Sequence, residues 1–189
     1  FNIRPATVTE LKVSSTGEKS IKLSWKKVTG ADSYAIYRYD NTSKKWQRIK
    51  TVKAVSFTDS GLARAKGYSY KVKAVKKSGG KEYISASYSK AVEAVTKPAK
   101  ASCTAKSSGS GSIEVSWKAV GGASGYEIYS SSNGSDYVKS AKVGGSQKSA
   151  IVSGFESYSL RMVKVRAYKT VNGKTSYGAF SQAVMVIVR

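Results

Sequence analysis

The sequence predicts an all-β chain of two tandem antiparallel β-sandwiches, and three observations predict it. Apolar and polar residues alternate in short runs, turn-forming residues separate the runs, and the whole pattern is repeated once, 92 positions later. Val, Ile, Thr and Tyr, which suit a pleated surface, are abundant, and Ser and Gly punctuate them. No long stretch carries apolar side chains at the i, i+3, i+4, i+7 spacing of a helix face.

The duplication is read directly. SIKLSWKKVTGADSYAIY from Ser20 matches SIEVSWKAVGGASGYEIY from Ser112, pairing Trp25 with Trp117, Gly30 with Gly122, Tyr34 with Tyr126, Ile36 with Ile128 and Tyr37 with Tyr129. KVKAV from Lys71 faces KVRAY from Lys164 at a shift of 93. Tyr88-Ser89 and Ala91-Val92 face Phe180-Ser181 and Ala183-Val184 at 92 again. Small changes of spacing between matched runs are what loops tolerate. One repeat of this length implies two domains, assigned to residues 1–96 and 97–189, because solenoids repeat at shorter periods.

Inside the first copy, Ile21, Leu23 and Trp25 alternate with Lys22 and Ser24, which predicts a strand with one dry face and one wet face. Tyr34 and Ile36 form the next such run, and Tyr70, Val72 and Ala74 alternate with Lys71 and Lys73. Turns are expected at Thr29-Gly30, Asp40-Asn41, Asp59-Ser60-Gly61 and Ser78-Gly79-Gly80. SSGSGS from Ser107 reads as the turn between the first two strands of the second copy, since it lacks the Lys and following helix of a phosphate loop. Between the copies, Thr96-Lys97-Pro98-Ala99-Lys100 is short and stiffened by Pro98, which predicts domains roughly end to end with restricted swing.

Charge narrows the partners without choosing one. The chain carries 33 Lys and Arg against 11 Asp and Glu, a formal charge of +22, spread as 20 against 7 up to Thr96 and 13 against 4 beyond it. A field spread over both copies draws polyanions in a salt-dependent way. The single cysteine, Cys103, cannot form an intramolecular disulfide and stands with no local base, as a small residue on the first strand of the second copy. With no histidine, a Ser-His or Cys-His nucleophile and an imidazole metal site are excluded, so no enzyme, metal or cofactor is expected. The few acids, several beside turns (Asp32, Asp40, Asp59, Asp136), do not read as a glycosidase pair. Phe1–Glu10 lacks a signal-peptide pattern, and no apolar run is long enough to span a membrane as a helix. The start without Met and the strand-like finish at Val184–Val188 read as a mature or excised segment of something longer.

Pro5, Trp25, Tyr34-Ala35-Ile36, and Leu62 followed by Tyr68, Val72 and Ala74 at 6, 10 and 12 positions resemble fibronectin type III domains, as do their counterparts around Trp117. GYEIY and VRAYKTVNGKTSYGAFSQAV look like such modules of Gram-positive surface and secreted proteins. The resemblance implies an immunoglobulin-like sandwich and an extracellular or cell-surface location. It also implies a non-catalytic spacer or adhesion role, with Trp25, Tyr68 and Trp117 as structural residues and Tyr68 as the tyrosine of the corner between sheets. The second copy departs from the pattern: Phe155 takes the place of Leu62 and Arg161 that of Tyr68, with Tyr158 as the substitute from a shifted register.

If Tyr34 and Ile36 point inward, Ala35, Tyr37 and Tyr39 point outward, beside Lys71 and Lys73. Tyr129, Lys164, Arg166 and Tyr168 repeat this in the second copy. Such faces either stabilise the sheet through Tyr–Lys pairs or hold an anionic polymer or carbohydrate, with rings stacking and cations meeting anions. Trp46 and Tyr137 are expected to pack at a sheet edge. Arg38-Tyr39-Asp40 falls at a strand end and is not an adhesion loop. The partners implied are an anionic polymer, a cell-wall glycan or another surface protein, as accessory to a carbohydrate-active enzyme or as a spacer. Base-specific nucleic-acid recognition and membrane insertion are not expected, and the chain reads as a monomer.

Overall fold

The computed structural model describes residues 4–189, so the first three residues of the Phe1–Glu10 segment lie outside it. Two units are present. One runs to Leu62 and resumes over Gly67–Thr96; the other comprises Lys97–Arg189 with the short segment Ala63–Lys66. Strands and turns make up the described residues, and no helix among them is long and apolar enough to cross a membrane.

In the first unit, β1 (Lys12–Thr16), β2 (Ser20–Ser24) and β5 (Ser56–Ser60) form a three-stranded sheet in the order β1-β2-β5. The facing sheet contains β3 (Ser33–Asp40), β4 (Lys45–Val52), β6 (Gly67–Ser78) and β7 (Lys81–Ile84) in the order β4-β3-β6-β7, with β8 (Val92–Val95) also along β6. The alternation in β2 does what the sequence requires: Ile21 and Leu23 are fully buried while Lys22 between them is exposed. Tyr34, Ile36, Tyr70, Val72 and Ala74 meet them from the other sheet, joined by Trp25. Each large apolar side chain so buried contributes about 1.5–3 kcal/mol. All pairings are antiparallel, which lets hairpins and short arches join the strands without crossover helices.

The second unit repeats this plan. β9 (Cys103–Gly109), β10 (Ser112–Trp117) and β13 (Ser149–Ser153) form one sheet in the order β13-β10-β9. The other runs β12-β11-β14-β15 and carries β16 along β14: β11 (Gly125–Ser131), β12 (Val138–Gly144), β14 (Leu160–Val171), β15 (Lys174–Tyr177) and β16 (Val184–Ile187). Ile113, Val115, Tyr126, Ile128, Val163, Val165 and Ala167 are fully buried in its core.

Local chemistry explains the joints. The β6–β7 hairpin closes Ser78 onto Lys81 through Gly79 and Gly80, at φ 55° and 74°, and β14–β15 closes Val171 onto Lys174 through Asn172 and Gly173, at φ 48° and 75°. Positive φ at both central positions is the type I′ geometry whose twist suits a hairpin. The Tyr34 hydroxyl accepts the Val28 N–H at 2.9 Å, and the Tyr126 hydroxyl accepts that of Val120 at 2.7 Å, so each sandwich satisfies a buried backbone donor the same way. One expected turn is corrected: Asp59 and Ser60 belong to β5, and the chain turns at Gly61, φ 74°. Asp59 instead points between the sheets, where it accepts hydrogen bonds from Arg38 Nη1 at 2.7 Å and the Tyr70 hydroxyl at 2.8 Å.

Candidate functional site

Both candidate faces lie on the outer side of a five-stranded sheet, and in each the edge strand is broken in two. Between β7 and β8 the ladder on β6 is kept by Ser89, whose N–H donates to the Val72 carbonyl while its hydroxyl accepts the Val72 N–H. Ser181 does the same for Val165 between β15 and β16. These breaks place the preceding aromatics, Tyr88 and Phe180, on the outer faces.

On the first face Tyr37, Tyr39, Lys71 and Lys73 come together, all half-buried. Tyr37 meets Tyr88 edge to face at 5.0 Å and Tyr39 meets Trp46 at 5.3 Å. The Lys71 ammonium stands 4.5 Å from the Trp46 ring centroid and that of Lys73 stands 4.3 Å from Tyr88. Lys73 also donates to the Ala86 carbonyl. Burial is the largest of the effects that raise the Tyr37 phenol above its ordinary pKa, with Tyr88 and Glu82 adding to it. Arg48 hydrogen-bonds the Glu82 carboxylate and holds its pKa below the ordinary range. Ala35 has the outward parity expected of it, yet it is fully buried beneath its neighbours, so this face is not a uniformly wet one.

The second face has the same rings and a different electrostatic centre. Glu127, which takes the place of Ala35, is only 1% exposed. Arg166 donates to it through Nε at 3.0 Å and Nη2 at 2.7 Å, and Lys139 donates at 3.2 Å. Burial opposes its charge, but the hydrogen bonds from Arg166 and Lys139 outweigh it and lower the carboxyl pKa. Tyr129 bonds both Glu127 and Arg166, and Arg166 lies against the Tyr177 and Phe180 rings at 4.1 and 4.8 Å. Lys164 sits 3.5 Å from the Tyr137 centroid and 4.5 Å from Phe180. Tyr168 joins these at one end, its ring 6.3 Å from that of Tyr177, and lies over Gly125 at the head of β11 and under the Lys142 ammonium at 4.6 Å. Trp46 and Tyr137 thus serve as ring platforms for lysines of the same sheet, Lys71 on β6 and Lys164 on β14.

The residues assigned to structure occupy the cores. Trp25 and Trp117 are 5% and 6% exposed and pack on Tyr34 and Tyr126. The indole N–H of Trp117 donates to the Gln147 carbonyl, whereas that of Trp25 is buried with no hydrogen-bond partner among the described residues. Tyr68 is half-buried against the first core, with the Arg38 guanidinium 5.8 Å from its ring. At the matching place Arg161 lies over Phe155 at 5.0 Å. Tyr158 does not substitute for the missing phenol: it is 86% exposed, in a turn at φ 59°. Cys103 is half-buried on β9, its sulfur 3.2 Å from the Ser181 hydroxyl. No cluster of three or more His, Cys, Asp or Glu is placed to hold a metal among the described residues.

Reading the sequence missed Glu127, Arg48, Lys139, Tyr88 and Phe180. Glu127 carried a signal: an acid at the position of outward parity between Tyr126 and Ile128, aligned with Ala35, in a chain poor in acids. Tyr88 and Phe180 depend on a break in the edge strand that alternation does not encode.

No known family profile matches the chain. Over 97 residues, 51% of its length, it is 42% identical to a poly(3-hydroxybutyrate) depolymerase of Ralstonia pickettii, and the match spans 18% of that enzyme. Among solved structures it is similar to a two fibronectin type III domain segment of chicken tenascin, at TM-score 0.52 and 18% identity, covering 94% of this chain and 96% of that one. The FN1–FN3 domains of chicken CNTN1 align over 98% of this chain and 68% of theirs, at TM-score 0.47 and 18% identity. At such identities the likeness concerns the fold. The chain has the fold of two tandem fibronectin type III domains.

Proposed function

We propose that the chain is a non-catalytic accessory segment of a longer bacterial surface or secreted protein, serving as a spacer or adhesion module outside the cell. The observation that carries this reading is the mutual engagement of its polar groups. The cations of the sheet faces rest on rings or on Glu127, and the buried acid Asp59 is held by Arg38 and Tyr70. Groups committed in this way stiffen a sheet and leave no nucleophile beside a base. Support also comes from the depolymerase match, which is domain-sized and spans under a fifth of that enzyme, as a reusable module would. The purified chain is expected to release no soluble product from poly(3-hydroxybutyrate) or from plant and bacterial glycans above a heat-denatured control. Turnover that follows the folded chain through purification would overturn the reading.

A second reading, binding of an anionic polymer or carbohydrate, is favoured by the cations that meet only rings and a carbonyl among the described residues, Lys71 and Lys73 on the first face and Lys164 on the second. Retention on heparin should fall with salt, and Lys71→Glu with Lys73→Glu should reduce it more than Lys22→Glu with Lys44→Glu. Equal losses would reduce the effect to net charge.

A further inference from the structure

At the head of β3 the two copies diverge in a way that neither packing nor net charge explains. Ser33 is 6% exposed, and its hydroxyl is buried with no hydrogen-bond partner among the described residues. Leaving such a group unpaired is destabilising. Ser33 lines a cleft of about 680 Å³ on the outer side of the sheet, with Thr51, Lys53, Lys77, Asp32 and Glu82 around it. Both acids are already engaged: Asp32 accepts the Lys77 N–H at 2.7 Å, and Glu82 is held by Arg48. The ammonium groups of Lys53 and Lys77 form no ion pair within 4.0 Å among the described residues, although Lys77, across the strands from Glu82, lies close enough to help lower its pKa.

The second sandwich fills the same place from within. Gly125 stands where Ser33 stands, and Tyr168 where Val75 does, each pair joined across the strands by the same register. The phenol lies so close on Gly125 that a Cβ there would come 2.5 Å from its oxygen, while Lys142, at the position of Thr51, covers the ring. The fold therefore accommodates a six-membered ring with a hydroxyl at this spot, under a cation. In the first sandwich Val75 is fully buried and too short to reach it.

We propose that the cleft over Ser33 binds one residue of an acidic polysaccharide. The pyranose ring takes the place held by the Tyr168 phenol in the second copy, a sugar hydroxyl pairs with Ser33 Oγ, and a carboxylate or sulfate lies between Lys53 and Lys77. This goes beyond a spacer role and does not depend on it.

The test is a residue-resolved amide NMR titration of the whole chain at about 0.15 M salt. The ligands are an oligogalacturonate, a sulfated oligosaccharide and a neutral galactan oligosaccharide. One or both acidic ligands should give saturable shifts centred on Ser33, Thr51, Lys53 and Lys77, and the stronger one decides between carboxylate and sulfate. The neutral ligand should give none. Ser33→Gly with Val75→Tyr writes the second copy's plug into the first and should weaken binding by about tenfold or more, because the phenol takes the ring's place and the Ser33 hydroxyl is gone. Lys53→Gln with Lys77→Gln should match that loss and serves if the plugged variant misfolds, while Lys22→Gln with Lys44→Gln, exposed lysines away from both the cleft and the sheet face, should leave affinity unchanged. Unsaturating shifts scattered over surface lysines, equal binding of the neutral sugar, or undiminished affinity in both cleft variants would overturn the proposal.

Discussion

The first sandwich places its buried carboxylate between the sheets, and the second places its own on the outside of one sheet. Asp59, Arg38 and Tyr70 of the first are replaced in register by Val152, Ser130 and Val163 of the second. Conversely Glu127, with Arg166 and Lys139, stands where the first has Ala35, Lys73 and Arg48. One chain path thus supports two polar networks on opposite faces of the same strands. The shared features, alternation, type I′ hairpins, the buried Tyr hydroxyl and the edge serine, define the fold. Where the charge sits is free to vary, provided each buried carboxylate keeps its donors.

The largest expected effect comes from breaking one network and not the other. Glu127→Ala leaves Arg166 facing rings without its counter-charge and should destabilise the second sandwich by about 3 kcal/mol. Asp59→Ala should cost the first about 2–3 kcal/mol, through the lost bonds from Arg38 and Tyr70. Hydrogen exchange resolved by segment should assign each loss to its own sandwich; a loss shared by both would break the comparison. Replacing the whole first network by the second copy's residues, Asp59→Val, Arg38→Ser and Tyr70→Val together, should cost more than Asp59→Ala alone. Arg38→Ser and Tyr70→Val remove side-chain volume at and beside a fully buried ring, and the cavity adds to the lost bonds. A chemical denaturation series decides this.

A smaller effect concerns the corner. Tyr68→Phe is expected to cost the first sandwich about 1 kcal/mol, as for a lost hydrogen bond, while Arg161→Met in the second should be neutral or stabilising, because the Arg161 Nε is buried without a hydrogen-bond partner among the described residues. Equal responses in thermal melts would mean that the two corners do the same work.

Much of the fold was legible because a strand of a sandwich announces itself by period two. Ile21, Leu23, Tyr34, Ile36, Val72 and Ala74 all lie where alternation puts them, and the repeat doubled every such inference. The same parity placed Tyr37, Tyr39, Lys71 and Lys73 on one face and their counterparts on another. What it could not give was the partner of each cation, which depends on strand order and on bulges such as those between Ile36 and Tyr37 and between Ile128 and Tyr129. Asp59 was misread because a carboxylate at a strand end looks like a turn former until the facing sheet supplies Arg38. Ser33 showed nothing in sequence, since a serine at a strand head is ordinary; only its missing partner and the Tyr168 plug of the other copy mark it.

The most direct test of the two-network contrast is the pH dependence of unfolding of each sandwich within the whole chain, followed in urea by residue-resolved amide NMR. Glu127 has a lowered pKa, so its contribution is present above the unfolded value of about 4.3 and is lost as pH falls through the folded value. Tyr70 is raised, first by burial and then by its bond to Asp59. Its neutral form is thus favoured in the folded state, and that contribution fades as pH rises past the unfolded value of about 10. Expected is a crossover: the second sandwich loses stability first in acid, below about pH 4, and the first loses it first in alkali, above about pH 10. The same sandwich weakening first at both ends, or parallel curves throughout, would contradict the placement of the two networks.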